Sequence, residues 1–131
     1  MLDTDVVIAA LDRSDAHHEA AATAIRRLAA AEAALLLSLV NYAETLVRPA
    51  EDPGTLRKAV AAIDALGIAL IPPTPAIARE AAALRALNIS LADGFALATA
   101  RARGATVASF DRRVRRALSG VAGIDLEPAV A

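Results

Sequence analysis

The apolar runs in this chain are too short for anything but a small sheet. Ala34–Leu37, Ile68–Ile71 and Ala105–Ala108 are four residues each, Ile124–Leu126 is three, and Met1–Leu2 is a stub. Between them, apolar residues recur at the i, i+3, i+4 spacing of helices. No two runs are joined by a two-residue hairpin turn. Short, mostly apolar strands that alternate with helices predict an α/β fold. Its short parallel β-sheet is flanked by α-helices on both faces. In such sheets ligands bind beyond the carboxyl ends of the strands. With 131 residues the chain is read as one domain, residues 1–131.

The helices follow from their punctuation. Val6–Leu11 opens a first helix, and Ser14 is the expected N-cap of a second, with His18, Ala21, Ala22, Ile25, Leu28 and Ala29 on its apolar face. Ser38 caps a helix running to about Arg48, stopped by Pro49, and Glu51–Gly54 reads as a turn. Leu56, Val60, Ile63 and Leu66 mark an amphipathic helix ended by Gly67. Thr74 and Pro75 form an N-cap and first-turn pair, followed by Ile77, Ala81 and Leu84 on the core face. Ser90 caps a helix reaching Arg103, ended by Gly104, and a last helix spans about Asp111 to Leu118.

Composition removes several chemistries. The chain has no cysteine, which excludes disulfides, thiolate metal sites and a cysteine nucleophile. The longest apolar run is far too short to span a bilayer, and Asp3 and Asp5 stand where a secretory signal would be basic and then apolar. A soluble cytoplasmic protein is expected. Fourteen basic against fifteen acidic residues argue against a general basic coat for duplex DNA.

The acids cluster just after the apolar runs: Asp3 and Asp5 after the first, Glu44 past the second, and Asp111 after Ala105–Ala108. Asp93 opens the helix before that last run. Two carboxylates about 5 Å apart repel by roughly 3 kcal/mol at an effective dielectric of 20. A cluster of four therefore calls for a cation, and oxygen donors favour Mg²⁺ or Mn²⁺. Each acid also has a plainer reading. Asp93 completes a capping box with Ser90, Asp111 is a good N-cap, Glu44 is placed to pair with Arg48, and Asp3 suits a turn.

These segments resemble the motifs of the PIN-domain ribonucleases. Leu2-Asp3-Thr4-Asp5-Val6-Val7-Ile8 resembles the family's opening Asp-Thr-Asn/Ser signature. Ser38-Leu39-Val40-Asn41-Tyr42-Ala43-Glu44-Thr45-Leu46 resembles the second motif, and Leu91–Ala100 the third. Val107-Ala108-Ser109-Phe110-Asp111 resembles the fourth, and Asp15–Ala21 a stretch common in bacterial members. The resemblance runs from Leu2 to Leu126. Length and the lack of extra domains are similar to VapC-type toxins of toxin–antitoxin pairs. Asp5 stands where the family usually has Asn or Ser, Asn41 where Thr is frequent, and Gly94 where Ala is usual. The Gly94 substitution is expected to weaken its helix start by about 1 kcal/mol or less.

The resemblance implies that Asp3, Glu44, Asp93 and Asp111 are the catalytic, metal-binding acids, with Thr4, Asp5 and Ser109 in support. It implies Mg²⁺- or Mn²⁺-dependent hydrolysis of RNA, leaving a 5′-phosphate and a 3′-hydroxyl. It also implies a homodimer and a VapB-type antitoxin as partner. Arg112, Arg113, Arg115 and Arg116, directly after Asp111, are candidate phosphate contacts. Only Tyr42, Phe95 and Phe110 are aromatic, so little base stacking is expected on a single-stranded or loop RNA, although Phe110 lies beside the acids. Phe95 and the two histidines, His17 and His18, are read as packing or surface residues. One rival is a haloacid-dehalogenase-like phosphatase using Asp3 and Asp5, disfavoured because Lys58, the only lysine, falls within a helix. The other is a non-enzymatic helical interaction module, which predicts scattered acids.

Overall fold

The computed structural model describes residues 1–130. Helix α1 (Thr4–Leu11) follows Leu2 directly, and α2 (His18–Ala30) leads to strand β1 (Leu36–Ser38). Next come α3 (Leu39–Thr45), a 3-10 turn at Pro49–Glu51, α4 (Pro53–Ala65) and strand β2 (Ala69–Ile71). Then α5 (Pro75–Leu84) and a 3-10 turn at Arg85–Leu87 precede α6 (Leu91–Arg103) and α7 (Arg112–Ser119), and a 3-10 turn at Pro128–Val130 follows.

Strands β1 and β2 pair in parallel, Leu36 opposite Ala69 and Ser38 opposite Ile71. Three further extended segments join by single contacts. The Leu2 N–H donates to Leu36 O at 2.8 Å, Leu2 bridges Ala108, and Val107 bridges Leu126, both bridges being parallel. The spatial order is therefore β2, β1, Leu2, Val107–Ala108, Leu126. The expected strands at Ala105–Ala108 and Ile124–Leu126 exist only as these bridges. Chain order reverses between Leu2 and Ala108, which creates a switch-point crevice at their carboxyl ends.

Alternate residues of these segments enter two separate cores. Met1 and Val107 pack with Ile77 and Ala81 of α5, Leu97 of α6 and Val114 of α7. Leu2, Leu37 and Ala108 pack with Val6 and Val7 of α1, Ala21 and Ile25 of α2 and Ile63 of α4. Both faces are covered, as the apolar runs require.

Several element ends differ from the sequence expectation. Ser14 does not cap α2. Its N–H and Oγ both donate to Asp12 Oδ1, at 2.9 and 2.7 Å, so the chain turns there and α2 begins only at His18. On α2, Ala24 is buried and Ala29 exposed, which rotates the apolar face from its expected centre. Helix α3 stops at Thr45 and not near Arg48. Pro53 and Gly54 are the first residues of α4 and not a turn, because Asp52 caps the helix by accepting from Thr55 N at 2.8 Å. The α5 and α6 caps, Thr74 and Ser90, are as read from the sequence. Gly94 has a packing role: a Cβ there would lie 2.7 Å from the carbonyl oxygen of Ala81, so α6 meets α5 at van der Waals contact only because that atom is missing.

Candidate active site

The crevice at the switch point is a cleft of about 400 Å³ lined by Asp3, Thr4, Asp5, Ile8, Glu44, Ser90, Asp93, Asp111 and Arg113. The four acids singled out by their spacing, and Asp5 with them, thus face one volume. Each arrives there through a local device. Asp3 follows the first extended segment and is the N-cap of α1. Asp93 forms the capping box with Ser90, and Asp111 caps α7 by accepting from Arg113 N at 2.7 Å. The plainer capping readings are correct, and they are also what aims these carboxylates into the cleft. Glu44 is exposed near the end of α3 and makes no ion pair with Arg48.

Asp3 is 2% exposed, and its two oxygens are occupied. Oδ1 accepts from Thr4 N at 2.9 Å, and Oδ2 accepts from the Ser109 hydroxyl at 2.7 Å. That same Ser109 oxygen accepts from Asp111 N at 3.1 Å, so one side chain joins two acids. Asp5 Oδ2 accepts from Phe110 N at 3.0 Å, while its buried Oδ1 has no partner. Burial pushes the Asp3 carboxyl up to about 7, helped by the negative charges of Asp5 and Asp93. Burial likewise pushes Asp5 up to about 6, with Asp111 and Asp93 adding to it and the Phe110 hydrogen bond opposing. Asp93 is raised by burial and by Asp111 and Glu44, against its hydrogen bonds to Ser90.

A crowd of hard oxygens that resist ionising together suits a divalent cation. The unpartnered Asp5 oxygen fits that requirement. Among the described residues, no three acidic or histidine side chains are gathered tightly enough to hold one ion between them. A divalent cation bound here would therefore take one or two carboxylates directly and keep several of its waters.

The candidate arginines divide. Arg113 lines the cleft, and Arg112 and Arg116 are exposed on α7. Arg115 turns inward: its Nε donates to Ser109 O at 2.9 Å and a terminal nitrogen donates to Val130 O. Phe110 stacks on His17 with ring centroids 4.5 Å apart, so its ring is covered by a histidine read as a surface residue. His18 Nδ1 lies 2.8 Å from Ala9 O and fastens α2 to α1.

The sequence marks Asn41 only as a departure from a family habit. Its side chain is fully buried and reaches both Thr4 and the backbone of Ala92. The signal that points to it is its position three residues before Glu44, on the same helix face. Ile8 and Ser90 also line the cleft, and neither is among the site residues expected from the sequence.

The sequence model of the PIN domain family matches residues 1–118. Among solved structures, VapBC2 from Rickettsia felis, crystallised bound to a DNA fragment from their promoter, contains a similar chain. The TM-score is 0.72 and the identity 16%, over 97% of this chain and 96% of that one. FitAcB from Neisseria gonorrhoeae is similar with a TM-score of 0.69 and 22% identity, over 98% of this chain and 96% of that one. No curated protein matches the chain.

Proposed function

Because the chain belongs to the PIN-domain family, whose members are generally nucleases using divalent metal ions, we propose that it is a metal-dependent endoribonuclease and the toxin of a toxin–antitoxin pair. The observation that carries this reading is the convergence of Asp3, Glu44, Asp93 and Asp111 on one cleft at the sheet's switch point. Those four carboxylates would surround Mg²⁺ or Mn²⁺, one or two of them directly and the others through its waters. Such an ion supplies a bound water of lowered pKa and a counter-charge for the scissile phosphate. Ser109 fixes the Asp3 carboxylate and holds the turn that presents Asp111. Asp5 adds negative charge that discourages an empty cleft, and Arg113 is the guanidinium placed to take an RNA phosphate. The toxin assignment and a VapB-type antitoxin as partner are supported by the likeness to VapBC2 and FitAcB; a homodimer and a cytoplasmic location belong to the same proposal. One domain over residues 1–131 agrees with the nearly full coverage of those chains. No helix among the described residues is long and apolar enough to cross a membrane.

The rivals meet specific obstacles. A non-enzymatic module predicts scattered acids, and these face one cleft. The phosphatase reading needs a lysine at the site, and Lys58 lies exposed on α4 and does not line the cleft. The test is cleavage of a single-stranded RNA by the purified protein. Cutting is expected with Mg²⁺ or Mn²⁺ and not with EDTA, leaving 5′-phosphate ends, and Asp93→Asn is expected to lower the rate at least a hundredfold. Equal cutting by Asp93→Asn counts decisively against the proposal.

A further inference from the structure

Two buried polar side chains join the elements that carry the acids. Ser109, described above, joins Asp3 to Asp111. The other is Asn41, which is 0% exposed. Its Nδ2 donates to Thr4 Oγ1 at 3.1 Å and to the carbonyl of Ala92 at 3.2 Å. Its Oδ1 accepts from the Ser38 hydroxyl, and its backbone N–H donates to Ser38 Oγ at 3.1 Å. Because Ala92 O can only accept, the amide orientation is fixed, and both of its N–H groups are used. Thr4 lies between Asp3 and Asp5 on α1, Ala92 precedes Asp93 on α6, and Asn41 stands one turn before Glu44 on α3. One amide therefore ties together the three helices that bring Asp3, Asp5, Glu44 and Asp93 to the cleft. A threonine at this position has a single O–H and cannot donate to both partners.

We infer that Asn41 is a positioning residue: it holds α1, α3 and α6 in the arrangement that turns their carboxylates toward the one cleft where a divalent cation would bind. This rests on the metal-site reading above. Groups that hydrogen-bond directly to metal ligands typically cost 10- to 100-fold in metal affinity when removed; Asn41 touches the helices that carry the ligands and not the ligands themselves, so the low end of that range is expected. The readout is Mn²⁺ binding to the RNA-free protein by calorimetry, alongside thermal melting in EDTA. Asn41→Ala, Asn41→Thr and Thr4→Val are compared with Ile63→Ala, which opens a cavity under α4 away from the cleft. Thr4→Val removes only the arm to α1 and keeps the side-chain shape, so it serves if Asn41→Ala does not fold. Mn²⁺ affinity is expected to fall at least tenfold in Asn41→Ala and Thr4→Val, with Asn41→Thr in between. Ile63→Ala is expected to bind as the parent does despite melting lower. A parent that binds Mn²⁺ with Asn41→Ala and Thr4→Val within threefold of it overturns the positioning role alone. So does an equal loss in Ile63→Ala, since general loosening then suffices. A parent that binds no Mn²⁺ overturns the metal reading and this role with it.

Discussion

Ser109 shows how much one hydroxyl decides at the cleft. Its proton goes to the buried Asp3 carboxylate and its oxygen receives the Asp111 N–H, so both ends of the group are committed. Ser109→Ala leaves the 2% exposed Asp3 with one oxygen unpaired, a loss of about 1–3 kcal/mol in stability. It also frees the turn before α7, and RNA cleavage is expected to fall at least tenfold. Chemical denaturation and single-turnover cleavage check the two effects separately. A Ser109→Ala protein that melts lower but cuts at the parent rate would confine Ser109 to stability. Asp5 illustrates the opposite arrangement. One of its oxygens is served by Phe110 N and the other is buried without a partner, in a place where the family usually has a neutral side chain. Burial, with the charges of Asp111 and Asp93, is why Asp5 resists ionising, and its unserved oxygen gains no hydrogen bond to offset that.

At the scale of elements, α5 and α6 meet at Gly94, where a methyl group would come within 2.7 Å of Ala81 O. Alanine at this site gains up to about 1 kcal/mol of helix propensity but must push the helices apart, and overpacking typically costs 1–3 kcal/mol. Gly94→Ala is therefore expected to lower the melting temperature, although helix propensity alone predicts a rise. On α7 the sequence offers four equivalent arginines, and packing divides them. Arg115→Ala is expected to destabilise the fold by about 1–2 kcal/mol, since it frees the carbonyls of Ser109 and Val130. Arg113→Ala is expected to leave melting unchanged within about 0.5 kcal/mol, to weaken RNA binding and to reduce its salt slope by about one. Filter binding at several salt concentrations reads both. Local signals make much of this legible: Ser38, Thr74, Ser90 and Gly104 end or begin elements where their chemistry requires, and the acids follow the apolar runs. What stays hidden depends on distant partners. Nothing local shows that Gly94 touches α5 or that Arg115 reaches residue 130.

For the whole molecule, the near balance of fourteen basic and fifteen acidic residues hides a concentration of negative charge at one end of the sheet. Its consequence is a defined dependence of stability on pH. Asp3 and Asp5 hold their protons in the folded chain up to about 7 and about 6, whereas in the unfolded chain they lose them near 3.8. Between those values the folded state binds more protons than the unfolded one. Stability must therefore fall as pH rises from about 4 to about 7 and level off above. In EDTA the melting temperature is expected to drop by several degrees between pH 4.5 and pH 8, a trend opposite to that of carboxylates stabilised by salt bridges. Asp5→Asn removes one of the titrating groups and is expected to flatten the curve. Mn²⁺ competes with these protons, so it is expected to raise the melting temperature strongly at pH 8 and weakly at pH 5. A curve in EDTA that rises across this window would mean that the carboxylates are neutralised by something other than protons, and the cation requirement inferred from their crowding would fall.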